Sequence, residues 1–230
     1  MIINGRTIEG VIFDIDGTLV DSFPVYCAAF NRGIQKYDLG PVSHRYLIDA
    51  LKRSANLLEV FRKVFPPGTE EGLIEKCRQD ILELFMKAEV DEVKLFPGVR
   101  ELFENLREKG IRIGVATGRT SPPEKEWERF KRYGLDVLID AIVTSREVEK
   151  RKPAPDAILE CSSRLKIPVE NCLVVGDTEA DILASRSAGA IAVAVSTGED
   201  DHDLLEREKP DFLFKALVEL NMLLDGRGTP

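Results

Sequence analysis

The chain has 230 residues, of which 43% are hydrophobic and 31% charged, and its formal net charge is -8. That length suits one large domain or a core domain with a smaller companion, and the apolar share is enough for a substantial core. The acidic balance excludes nucleic acid and anionic membrane as default partners, which need clustered Lys and Arg, but leaves open a small anionic substrate held through a cation.

The first residues, MIINGRTIEGVIF, lack the basic region, long apolar run and small-residue cleavage site of a signal peptide. No apolar stretch approaches membrane-spanning length, so a cytoplasmic location is expected. Cys27, Cys77, Cys161 and Cys172 form no CxxC pair and have no nearby His cluster, which argues against a disulfide framework or a zinc site. The run GVIFD (10–14) reads as a buried strand. From about 22 to 93 the pattern turns helical, with LIDALKRSANLLEVFRKVF (47–65) and LIEKCRQDILELFMKA (73–88) separated by Pro66, Pro67 and Gly68. Helical periodicity over 100–109 then ends at Gly110, and strands are predicted at IRIGVAT (111–117) and LIDAIVTS (138–145). A helix over 155–165, a strand CLVVGD (172–177) and a helix over 181–188 closed by Gly189 follow. The strands IAVAVS (191–196) and DFLF (211–214) complete the series, and the tail GRGTP reads as disordered. Nearly continuous Val- and Ile-rich runs alternating with helices predict an α/β fold, a Rossmann-like doubly wound parallel sheet. Residues 1–20 and 96–230 form its core, and 21–95 a helical insert acting as a cap. The crossings at 20–22 and 94–98 could serve as a hinge.

Chemistry-bearing residues gather after the strands. Asp14 and Asp16 follow the first, with Gly17 and Thr18 for a tight turn, although Asp-x-Asp-Gly alone is also ordinary turn chemistry. Asp177 ends the strand CLVVG, and Asp181 lies near the start of the next helix, where acidic groups also serve as caps. Carboxylates converging at one sheet edge raise one another's pKa unless a cation compensates, and an oxygen-only donor set points to a hard ion such as magnesium. Thr117 and Gly118 offer a hydroxyl and a backbone amide, and Lys152, in RKPAPD, precedes a helix that Pro153 or Pro155 begins. Singly, each has a bland reading as a turn or a solvated side chain; together, each after its own strand, they make a site.

The series VIFDIDGTLVDS, GVATGR, KPAPD and VVGDTEADI resembles the phosphatases of the haloacid dehalogenase superfamily, especially the phosphoglycolate phosphatase-like branch with its helical cap. The resemblance covers essentially the whole core, and the position of the insert matches too. It implies Asp14 as nucleophile, Asp16 as general acid/base, Thr117 on the phosphate, and Lys152 paired with Asp14 and the transferring group. It further implies Mg2+ held by Asp14, the main-chain carbonyl of Asp16, and Asp177, with Asp181 in support. One departure stands out: many phosphoglycolate phosphatases have Thr-Asn-Lys where this chain has Thr117-Gly118-Arg119. Arg119 is expected to face solvent rather than touch the leaving group.

Competing readings use the same residues differently. A dehalogenase needs neither metal nor Asp16; a phosphomutase would return phosphate to a sugar; a phosphonatase wants a cap lysine, for which Lys36, Lys52 and Lys63 show no distinguishing mark. A non-catalytic phosphometabolite-binding protein should have lost a core aspartate or lysine, and a receiver domain would not place its acceptor on the first strand. The expected partner is a small phosphorylated metabolite; neither its identity nor the oligomeric state is encoded legibly.

Overall fold

The computed structural model describes residues 2–47, 57–198 and 202–225. Short strands β1 (Ile2–Ile3) and β2 (Arg6–Thr7) form an antiparallel hairpin. The main sheet contains β3 (Gly10–Phe13), β6 (Arg112–Thr117), β7 (Ala141–Thr144), β8 (Cys172–Gly176), β9 (Ile191–Val195) and β10 (Phe212–Phe214). Between β3 and β6 lie two-residue strands, β4 (Val20–Asp21) and β5 (Lys94–Leu95), which pair with each other. The six strands run in the order β10-β9-β8-β3-β6-β7, all parallel. The order reverses beside β3, which places a topological switch point at its carboxyl end, where open α/β sheets bind ligands.

The chain separates into two compact units, one of residues 1–20 and 95–230 and one of residues 21–94. In the first, both faces of the sheet are covered. Helix α4 (Val99–Glu108) brings Phe103 against Phe13 of β3, ring centroids 5.1 Å apart. On the other face, Ile12, Ala116 and Val174 pack with Ala157, Ile158, Cys161 and Leu165 of α6 (Asp156–Leu165) and Ala184 of α7 (Glu179–Ala188). This burial on both sides is why the strands read as continuous apolar runs. Helix α6 begins after Pro155, its N-cap, rather than at Pro153. Strand β7 begins three residues later than the apolar run suggests, for a local reason. The backbone amide and a carboxylate oxygen of Asp140 engage the backbone C=O and N–H of Ile113. Sheet pairing resumes only at Ala141, which is in register with Gly114. Helices α5 (Pro123–Arg132), α8 (His202–Arg207) and α9 (Leu217–Leu224) complete this unit.

The second unit is helical. Helix α1 (Phe23–Gln35) has Pro24 in its first turn, where a missing N–H costs nothing. Helix α2 (Leu57–Val64) and helix α3 (Glu71–Glu92) flank the Pro66-Pro67-Gly68 break, with Gly68 at φ 87. Part of the helix read over 47–65, together with Lys52 and the GRGTP tail, lies outside the described residues. Phe30 and Ile34 of α1, Phe61 of α2, and Ile74, Cys77 and Ile81 of α3 form its core.

A close approach at Gly33 sets the α1–α3 packing, since a Cβ there would lie 2.2 Å from Ile81 Cγ1. Replacing a mid-helix glycine with alanine ordinarily stabilises a helix by about 0.5–1 kcal/mol. Overpacking a filled core costs about 1–3 kcal/mol, so the clash outweighs the helical gain. Gly33→Ala is therefore expected to lower the urea midpoint of this unit; an unchanged midpoint would mean that Ile81 turns aside at no cost. No helix among the described residues is long and apolar enough to cross a membrane.

Candidate active site

The site is assembled from strand ends. Beyond β3 the chain turns on itself: the amide of Gly17 donates to the carbonyl of Val20 at 2.9 Å, and those of Leu19 and Val20 donate to Ile15. Gly17 has φ 81, a conformation L residues avoid, and a Cβ there would lie 2.1 Å from Asp177 Oδ2. Gly198 makes an equally tight wall, its hypothetical Cβ 2.0 Å from the same oxygen. Asp177, fully buried at the end of β8, accepts a hydrogen bond from the Thr18 hydroxyl at 2.8 Å through Oδ1. Asp14, whose amide donates to Val175 of β8 at 2.9 Å, sits beside it at the switch point.

Lys152 arrives on the loop between β7 and α6. Its ammonium donates to Asp14 Oδ1 at 2.7 Å and Asp181 Oδ1 at 2.6 Å, with both carboxylates largely shielded from solvent. The other oxygen of Asp181 accepts the amide and hydroxyl of Thr178, closing a capping box at the start of α7. One carboxylate thus caps a helix and binds the lysine. Gly176 makes room for it, since a Cβ there would meet Asp181 Cβ at 2.3 Å. The Asp14 carboxyl is pushed up to about 7, burial being the largest cause, with Lys152 pulling it down and Asp181 and Asp16 pushing it up. Burial alone would lower the Lys152 ammonium, but Asp14 and Asp181 outweigh it and hold the group above the ordinary lysine value.

Each of Asp14, Asp177 and Asp181 offers a carboxylate oxygen within 4.8 Å of the other two. Such a donor set, oxygen only and crowded by Gly17 and Gly198 rather than by side chains, fits a small hard cation. A cation there would also reverse the upward pressure on Asp14. The side chain of Asp16 is engaged by a different partner. Both its oxygens accept from Arg119, Nε to Oδ2 and Nη2 to Oδ1, each at 2.7 Å. This corrects the expectation that Arg119 faces solvent: its side chain is only 12% exposed.

Thr117 ends β6, buried, and its Oγ1 accepts the amide of Arg119 at 3.2 Å, while Gly118 is exposed with open space where a Cβ would stand. The sheet register carries this strand end alongside β3. The structure therefore joins Asp14, Lys152, Asp177 and Asp181 by contact or close approach, and joins Asp16 to Thr117 through Arg119. Sequence reasoning missed the Thr18 hydroxyl on Asp177 and the Arg119 clamp. Thr18 was visible only as a turn residue, and Arg119 found its partner 103 positions away.

A doubly wound α/β sheet here gathers three carboxylates and a lysine at the carboxyl ends of its strands, where open α/β sheets bind ligands, and their donor set fits a small hard cation. The chain belongs to the haloacid dehalogenase-like hydrolases, whose family model matches residues 11–195. A Caldanaerobacter subterraneus subsp. tengcongensis protein assigned as a pyrophosphatase PpaX is 30% identical over 227 residues, covering 95% of this chain and 96% of the relative. The phosphoglycolate phosphatase of Escherichia coli K12 is 28% identical, with 97% and 94% covered. A Thermotoga maritima crystal structure assigned as a β-phosphoglucomutase superposes with a TM-score of 0.76 at 26% identity, over 95% of this chain and 99% of that one.

Proposed function

We propose that this hydrolase is a magnesium-dependent phosphatase that cleaves small phosphate monoesters through a phosphoryl group carried on Asp14. The observation that carries the reading is the Lys152 ammonium held between Asp14 and Asp181, with Asp177 beside them at the switch point. Asp14 is the nucleophile: its carboxylate oxygen bonds to phosphorus as the ester bond breaks, which divides one difficult hydrolysis into two displacements. Asp16 gives a proton to the departing oxygen, then takes one from the water that attacks the Asp14 acyl phosphate. Lys152 and the Thr117 hydroxyl, with the Gly118 amide, stabilise the phosphoryl oxygens, and the lysine also favours the ionised form of Asp14. Asp14, the main-chain carbonyl of Asp16, and Asp177 would hold the metal, with Asp181 in support. Bound magnesium supplies positive charge to the phosphoryl oxygens. The helical unit of residues 21–94 is assigned as a cap domain that favours small substrates. The substrate is a small phosphorylated metabolite, and four buried free thiols suit a cytoplasmic location.

Activity is expected to vanish in excess chelator and to return with magnesium, while calcium, which prefers more ligands and looser geometry, substitutes poorly. Full turnover in excess chelator would remove the metal from this reading. The covalent step is tested by brief reaction with substrate, acid quench and mass analysis of the peptide containing GVIFDIDGT. A phosphoryl mass increment on Asp14 supports the mechanism, and a label elsewhere overturns it. The likeness to the Thermotoga maritima structure keeps a second reading in view, a phosphomutase using the same core. Hexose phosphate as substrate separates the two: release of inorganic phosphate marks the phosphatase, and an isomeric sugar phosphate the mutase.

A further inference from the structure

Arg119 is held on every side. The amide and hydroxyl of Ser145 both donate to its main-chain carbonyl at 3.0 Å. Its guanidinium grips both Asp16 oxygens in a two-pronged fork, a geometry that a lysine ammonium cannot reproduce. Behind it, Nη1 faces Glu126 Oε2 at 3.5 Å. Glu126 is 0% exposed, and its other oxygen takes Arg129 Nη1 at 2.5 Å and the Ser121 hydroxyl. Burying a carboxylate costs several kcal/mol even when it is paired, and α5 is already anchored by buried Phe130. A buried acid between two guanidiniums is the arrangement needed to fix the angle of Arg119 from behind, while Asp16 meets it from the front.

We infer that Arg119, braced by Glu126, is the positioning residue for Asp16, fixing the plane and direction of the carboxylate that exchanges protons with the leaving oxygen and the attacking water. The inference rests on the acid/base reading of Asp16 given above. In the first step Asp16 loses its proton to the leaving oxygen as the phosphorus–oxygen ester bond breaks and the Asp14–phosphorus bond forms. In the second it regains a proton from water as the new phosphorus–oxygen bond forms and the acyl phosphate breaks. Arg119 acts through the Asp16 carboxylate that it grips, so its influence is expected only where the proton from Asp16 is needed.

The test is single-turnover phosphorylation of Asp14 by an alkyl phosphate and by p-nitrophenyl phosphate, whose leaving group departs unprotonated. Wild type, Arg119→Ala, Arg119→Lys, Asp16→Asn and the Asp16→Asn/Arg119→Ala double variant are compared. Arg119→Ala is expected to slow the alkyl reaction by about 10–100-fold, the range for loss of a supporting partner, and to leave the nitrophenyl reaction nearly unchanged. Arg119→Lys should fall between, because it returns the charge without the fork, and it gives the same readout where the alanine variant does not fold. In the Asp16→Asn background the loss of Arg119 should add nothing further. An equal additional loss in that background, a rise in KM without a change in rate, or an unaltered alkyl rate in Arg119→Ala would each overturn the inference. If Asp16→Asn alone left the preference for good leaving groups unchanged, the acid/base reading itself would fall, and the assignment of Arg119 with it.

Discussion

Asp14→Asn is expected to abolish turnover, by ~10^4-fold or more, the scale lost when the nucleophile of a covalent hydrolase is removed. The peptide carrying GVIFDIDGT should then take up no phosphoryl group. The fold should survive, because the substitution removes a carboxylate that its surroundings already disfavour. Asp14 is raised from 3.8 to about 7, burial being the largest cause. An acid with a raised folded-state pKa is ionised more readily in the unfolded chain. Its charge therefore lowers stability progressively as pH climbs from about 4 through 7. Asparagine carries no such charge and Lys152 keeps Asp181 as its partner, so in metal-free solution at pH 7 or above the variant should melt no lower than wild type. A variant that turns over normally would dismiss Asp14 as the nucleophile. One that is inactive only because it unfolds would leave the thermal result as the failed half of the prediction.

The second large effect is expected at Lys152. Its pKa lies above the ordinary lysine value, so its stabilising contribution is complete across neutral pH and is lost only in strongly alkaline solution. Lys152→Met would remove the ammonium that Asp14 and Asp181 share, in a group where Asp14, Asp177 and Asp181 offer carboxylate oxygens within 4.8 Å of one another. Removing one partner from a buried pair typically costs ~3–5 kcal/mol, equivalent in a chain of this size to roughly 6–20 °C of melting temperature. Measured in chelator, the variant should show that drop, and added magnesium should recover part of it by supplying the missing positive charge. Turnover should fall by about 10²–10³-fold even at saturating magnesium, since the ion replaces the charge but not the directed donor. A variant that melts like wild type in chelator would show that the carboxylates tolerate one another unaided.

The reasons these residues were readable are local. Asp14 and Asp177 each follow directly on a strand of continuous apolar residues, so a pattern of period and punctuation places them at one sheet edge. Lys152 needed the series, since nothing in RKPAPD alone distinguishes it from a solvated lysine. Arg119 could not be read the same way. The sign of its environment depends on Asp16, from another strand, and on Glu126, seven residues ahead on a helix with little apolar content. That helix escaped notice because charged residues dominate it, although Pro122-Pro123 and the Glu126–Arg129 spacing were visible cues. The N-terminal hairpin was legible and overlooked: Asn4 and Gly5 have φ 48 and 73, the left-handed pair that Asn-Gly supplies most readily. The strand edge at Ala141 was not legible, because a side chain of Asp140 bonding across the sheet is indistinguishable in sequence from a strand residue.

The pairing of β4 with β5 means that the chain leaves the sheet-bearing unit and re-enters it at neighbouring points. A segment whose two ends meet is a cassette. Another of similar end spacing can be spliced between residues 20 and 95 without re-threading a strand, because few contacts have to be rebuilt where chain ends lie close together. Asp14, Lys152, Asp177 and Asp181 all belong to the portion left behind. Exchange of one contiguous stretch of gene could thus give the scaffold a new helical unit in a single recombination event, with every carboxylate of the cluster retained.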